Sequence, residues 1–153
     1  ILAISAACLA IFNLFTVLSA HPVSTKAGTV AMFKNDPVLT FLDINVAPGT
    51  EIFAYPYCPM YYFLSATTNP TRYSILMYNY NTSAQFQDVI RTLDQQNVQY
   101  IVWDTNFVKV AGAFFSTQAQ SSQTLILEPY LESHYELVKN VNGIRILKRK
   151  PVL

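Results

Sequence analysis

The chain of 153 residues has only four glycines, two cysteines and two histidines, and ten basic against nine acidic residues leave a net charge of +1. Each scarcity excludes a class of function. Four dispersed glycines supply no Gly-rich phosphate loop, and no G-x-S-x-G elbow occurs. His21 and His134, with Cys8 and Cys58, are too few and too scattered for a zinc set or a Cys/His nucleophile. Cys8 sits in an apolar stretch and Cys58 in the polar remainder, so the two do not build a disulfide framework. A near-neutral chain also lacks the electrostatic footprint of a nucleic-acid binder. Neither metal nor cofactor is implied.

Charge is missing locally as well. Ile1 to Ala20 contains no charged side chain, and at about 1.5 Å per residue a helix of that length covers the roughly 30 Å hydrocarbon core of a bilayer. It reads as a transmembrane helix. A signal peptide is the first alternative, with Leu18-Ser19-Ala20 as its cleavage site, but a basic n-region is wanting. A buried helix is the second, and Ser5, Asn13, Thr16 and Ser19 make too mild a polar stripe for it. Starting at Ile1 rather than Met, the sequence reads as a piece whose upstream part is absent, with residues 1–20 its last span. Residues 21–35 read as a connector, with one soluble domain over 36–153.

Within that domain helix and strand signals alternate. Asp36-Pro37 is an N-cap and first-turn pair, followed by an apolar helical face of Val38, Leu39, Phe41, Leu42 and Val46 that ends at Ala47-Pro48-Gly49. Glu51 to Tyr55 predicts a buried strand, Pro59 to Ser65 a helix, and Arg72 to Tyr78 a strand or extended segment. Asn81-Thr82-Ser83 caps a helix whose buried face is Phe86, Val89, Ile90 and Leu93. The same three residues match a glycosylation sequon, a short pattern that arises often by chance. Val98 to Trp103 predicts the next strand, Gln118 to Ser133 a helix interrupted by Pro129, and Tyr135 to Lys148 a hairpin across Asn142-Gly143. This order predicts an α/β fold: a small, mostly parallel sheet with flanking helices and a C-terminal antiparallel hairpin, preceded by the transmembrane helix. The basic cluster Arg145, Lys148, Arg149 and Lys150 reads as a charge-protected edge strand or as a contact for anionic lipid headgroups.

Ligands of open parallel sheets gather beyond the carboxyl ends of the strands. Three segments fall there and supply the candidate site: Tyr55, Tyr57 and Tyr61; Asn69, Arg72 and Tyr73; and Asp104. Arg72 has the fork to hold a phosphate or carboxylate, and tyrosines stack on sugar rings. The opposing reading makes Asn69-Pro70 a turn, sends the tyrosines to the core margin and pairs Arg72 with Asp104 or another acid. Asp104 has no second acid close in sequence, as glycoside hydrolysis normally needs.

Three segments together, EIFAYPYCPMYYFLSATTNPTRYSILMYN, QFQDVIRTLDQQNVQYIVWDT and EPYLESHYELVKNVNGIRILKRK, resemble the C-terminal tail of polytopic family 39 glycosyltransferases, which include enzymes like the dolichyl-phosphate-mannose-protein mannosyltransferases. The likeness covers Pro48 to Lys150, with the span at residues 1–20 in the corresponding place. It implies a soluble extracytoplasmic accessory domain of an integral membrane enzyme. Such enzymes move a sugar from a polyprenyl-phosphate donor to an acceptor, with the catalytic acid in an early loop outside this chain. The partners implied are the membrane, the rest of the same protein and those two substrates. A non-enzymatic, membrane-anchored binding or sensor domain is the alternative.

Overall fold

The computed structural model describes residues 5, 14, 18–78, 80–107 and 126–151. Among the described residues the elements run β1 (His21–Thr25), β2 (Gly28–Met32), α1 (Pro37–Asn45), β3 (Ile52–Tyr55), α2 (Pro59–Leu64), α3 (Ser83–Gln95), β4 (Tyr100–Asp104), α4 (Leu127–His134), β5 (Tyr135–Val141) and β6 (Ile144–Arg149). The expected connector is thus an antiparallel hairpin, β1 against β2, in register from His21 opposite Met32 to Thr25 opposite Gly28. Lys26 near its tip donates to the carbonyls of Leu42 and Val46, the open C-terminal end of α1.

The main sheet has the order β3-β4-β6-β5. Only β3 and β4 pair in parallel; β4 with β6 and β6 with β5 are antiparallel. This corrects the expected mostly parallel sheet. The β3-α3-β4 crossover is there, but the second strand of the hairpin inserts between β4 and β5 and turns two of the three pairings antiparallel. Composition explains the insertion. Ile146 and Leu147, adjacent in β6, are buried on opposite faces, as an interior strand requires, whereas Glu136, Leu137 and Val138 of β5 are all exposed. The edge therefore falls to β5, which carries a bulge between Leu137 and Lys139. The basic cluster, expected on an edge strand, starts instead on the inner strand β6.

The other half of the expected fold class was the transmembrane helix. Most of residues 1–20 lie outside the described residues, and among the described residues no helix is long and apolar enough to cross a membrane. Part of the helix expected over Gln118 to Ser133 lies outside them too; α4 begins at Leu127, which places Pro129 in its first turn, where no intrahelical N–H is lost. Arg72 to Tyr78 forms no strand. It is a loop pinned by Leu76, whose N–H donates to the Pro56 carbonyl at 3.0 Å.

Alternation along the strands sorts the core into two layers. Phe53, Tyr55, Ile101, Trp103 and Leu147 face α3 and α4, while Ile52, Ala54, Val102 and Ile146 face α1 and α2. The open edge of β3 is closed by the chain that follows it. Thr68 accepts from Ile52 N at 3.1 Å, and the Tyr62 hydroxyl takes Ala54 N at 2.7 Å, so few backbone groups remain for another strand.

Candidate functional site

The parallel strands β3 and β4 end together, with Tyr55 in register with Trp103. Tyr57, Cys58 and Asp104 leave from that rim. Tyr57 is exposed, its ring centroid 6.2 Å from that of Phe107. Asp104 accepts from the N–H groups of Asn106 and Phe107 at 2.9 and 3.1 Å, so it caps the helical turn at 105–107. Tyr61 is buried below and donates to Asp36 at 3.0 Å, while the other oxygen of Asp36 caps α1 through Val38 N at 2.8 Å. Burial, and after it the Asp104 carboxylate, pushes the Cys58 thiol up to about 12. A thiol held neutral in this way is no nucleophile at neutral pH.

Asn69, Arg72 and Tyr73 form a separate cluster. Asn69 folds its own loop, donating to the Tyr73 carbonyl at 2.8 Å and accepting from Thr71 N at 2.9 Å. Arg72 meets Asp88 of α3 at 2.7 Å, and the Tyr73 hydroxyl donates to the same carboxylate oxygen at 3.0 Å. Hydrogen bonds from Arg72 and then Tyr73 hold the Asp88 carboxyl below its ordinary range. Arg72 thus finds its acid on α3 rather than at Asp104. The Arg72 side chain is 74% exposed, so donors of its fork still face solvent.

Tyr55 belongs to neither group. Tyr55 and Tyr61 lie on opposite faces of the sheet, so the seven expected residues do not line one pocket. On the α4 face Tyr55 meets residues that the sequence left unmarked. Its hydroxyl donates to Glu128 at 2.6 Å, and its ring lies 6.3 Å from that of Trp103. Arg145, opposite Trp103 in the β4/β6 register, lays its guanidinium over the indole at 5.2 Å. Arg145 in turn approaches Glu132 at 3.6 Å, and Glu132 lies one helical turn beyond Glu128 on α4. Tyr55, Trp103, Arg145, Glu132 and Glu128 thus close a ring at the carboxyl end of the parallel strands.

This ring has unmet polar capacity. Among the described residues Trp103 Nε1 and Glu128 Oε2, both buried, have no hydrogen-bond partner; such a group costs about 1–3 kcal/mol when nothing fills its place. Burial raises the Glu128 carboxyl above its ordinary range, opposed by the bond from Tyr55 and aided by the nearby Glu132 charge. The i, i+4 spacing of the two acids on one helix is visible in the sequence. What hides them is the sheet order, since only the β4/β6 register brings Arg145 to Trp103 and so to α4.

The basic C-terminus is bound elsewhere. Arg149 pairs with Asp94 and donates to the Tyr135 hydroxyl at 3.2 Å, and Lys150 donates to the Glu132 and Ser133 carbonyls near the C-terminal end of α4. An open cleft of about 340 Å³ between Asp94, His134 and Lys150 follows from this arrangement. Among the described residues no three His, Cys, Asp or Glu side chains gather as a metal-ligand set. No protein-family model, curated protein or solved structure matches the chain. The likeness to family 39 glycosyltransferases therefore gains no support from those comparisons.

Proposed function

We propose that this chain is a non-catalytic, extracytoplasmic accessory domain of a membrane glycosyltransferase that moves a sugar from a polyprenyl-phosphate donor to an acceptor. One observation favours that reading over a self-sufficient enzyme: the polar residues at the expected rim are committed to the fold. Tyr61 is held by Asp36, Asp104 by a backbone turn and Arg72 by Asp88, and the Cys58 thiol near Asp104 stays protonated. Such a surface positions a partner or substrate; it does not supply a nucleophile or a matched acid and base. The aromatic, carboxylate and guanidinium side chains near β3 and β4 are of the kinds that sugars and phosphates require.

Disrupting the gene tests this. Membranes lacking the protein should leave polyprenyl-phosphate mannose unconsumed and the acceptor unmodified, and undiminished transfer would sink the proposal. Restoring the gene with Arg72→Ala should cut transfer several-fold while thermal melting of the domain moves little, because solvent screens an exposed ion pair. Full activity in that variant would leave Arg72 as no more than a partner of Asp88. A binding or sensor domain without enzymatic association predicts normal transfer in both experiments.

A further inference from the structure

We infer that the end of the molecule at which Leu18, Phe33, Tyr57, Met60 and Phe63 are exposed docks on a lipid bilayer, its apolar side chains seated at the boundary of headgroups and acyl chains. The inference goes beyond the transferase reading and stands on this surface alone. Hydrogen bonds bring the five residues to one end. The Tyr61 hydroxyl of α2 donates to Asp36 at the start of α1, which sets Phe33, three residues before Asp36, near the start of α2. His21 opens β1 opposite Met32 and lies 3.2 Å from Asn35, so Leu18 arrives there too. Tyr57 leaves the carboxyl end of β3 and α2 follows it, with Met60 and Phe63 one turn apart on that helix. Phe33, Met60 and Phe63 are 60%, 51% and 67% exposed. Large apolar side chains scattered singly over a surface are ordinary, but gathered at one end they mark an interaction site.

Charge selects the occupant. No charged side chain occurs from Ile52 to Thr71. Asp36 and Asp104, the acids beside this surface, are spent on the fold: Asp36 caps α1 and binds Tyr61, and Asp104 caps the turn at 105–107. Lys34, exposed next to Phe33, sets a cation among apolar and aromatic side chains, the combination that suits anionic headgroups over an acyl layer. The chain also enters this end from residues 1–17, which hold no charged side chain. Surface and entering segment therefore call for the same apolar surroundings. At the opposite end Lys26 lies against the C-terminal end of α1, and Lys148 stands opposite Tyr100 at the start of β4. The lysine of the basic cluster on β6, read from the sequence as a headgroup contact, is thus at the far end of the sheet, and Lys34 takes that role.

Nitroxide labels test the contact on the intact protein reconstituted with mixed vesicles of phosphatidylcholine and phosphatidylglycerol. In a Cys8→Ser, Cys58→Ser background, labels at Phe33→Cys and Met60→Cys should be relaxed more by oxygen, which concentrates among acyl chains, than by a water-soluble nickel chelate. A label at Gln96→Cys, exposed before β4 at the opposite end, should show the reverse order, so that the ratio of the two effects differs several-fold between the ends. Labels at 33 and 60 that follow the chelate as the label at 96 does, or a chain that stays off the vesicles, would overturn the inference. Broadening between labels that disappears on dilution with unlabelled protein would assign the surface to a second copy and overturn it as well. A second measurement keeps both cysteines. Irradiating the native protein in vesicles of a phosphatidylcholine with a diazirine on its acyl chain should label the stretch from Tyr57 to Phe63 and spare that from Gln96 to Gln99; equal labelling of both would overturn the surface even if the cysteine variants fail to fold. None of these readouts involves sugar transfer, so the transferase reading stands or falls separately.

Discussion

Asp36 does two tasks with two oxygens. Oδ1 accepts from Val38 N and Leu39 N at the start of α1, while Oδ2 accepts from the buried Tyr61 hydroxyl. Asp36→Ala should therefore cost about 2 kcal/mol, roughly 1 for the cap and 1 for the phenol bond. Tyr61→Phe, which keeps the cap, should cost about half as much. Urea midpoints of the two variants check this, and equal losses would show that the cap contributes nothing. Cys58, close by, gives a chemical test. A thiol pushed up to about 12 exposes far less thiolate at neutral pH than a free cysteine near 8.5, so iodoacetamide should label it at least ~100-fold more slowly in the native protein. Peptide mapping keeps the signal of Cys58 apart from that of Cys8, and labelling at the rate of the urea-unfolded chain would contradict its burial beside Asp104.

The β5/β6 hairpin shows what an element owes to its turn. Asn142 and Gly143 both have positive φ, 50° and 87°, the pair that a two-residue turn between right-twisted strands needs. Asn106 packs on that turn, donating to the Asn142 carbonyl at 2.6 Å, and a Cβ on Gly143 would come within 2.4 Å of the Asn106 side chain. Gly143→Ala should thus lose about 1–2 kcal/mol from strain and more from the clash, whereas Gly49→Ala, with φ of 78° but open space around it, should show the strain alone. Melting temperatures of both variants decide the difference. This turn was legible in the sequence, as were the Asp36 cap and the capping stretch Asn81-Thr82-Ser83, within which Thr82 caps α3, since each is written within four residues. Strand order was not. Alternating helices and strands suit a parallel sheet, and the insertion of β6 beside β4 is a long-range choice driven by the two-sided burial of Ile146 and Leu147. The same choice assembles Trp103, Arg145 and α4, which is why the seven candidate residues included Tyr55 but not the residues around it.

Across the whole molecule two carboxyls shift in opposite senses, and their consequences for stability differ in sign. Hydrogen bonds from Arg72 lower Asp88; its contribution is present above the ordinary carboxylate range and is lost as pH falls, but solvent screening keeps it small. Glu128 is raised, first by burial. Between its unfolded value, about 4.3, and its higher folded value the native state holds a proton that the unfolded chain has released. Stability from this group is therefore complete below about pH 4.3 and declines as pH rises through the folded value. The groups that face Glu128 set the size of this effect: Tyr55 from β3 donates to it, and Glu132 on its own helix adds repulsion. Arg145 of β6 is engaged with Glu132 and Trp103 instead. Glu128→Gln keeps an acceptor for Tyr55 and cannot ionise. Its melting temperature should therefore fall less than the wild type's between pH 4.5 and 7, the difference amounting to less than one proton of slope. Parallel wild-type and variant profiles over that window would show that Glu128 ionises in the native protein as freely as in the unfolded one, and that its bare oxygen is reached by solvent.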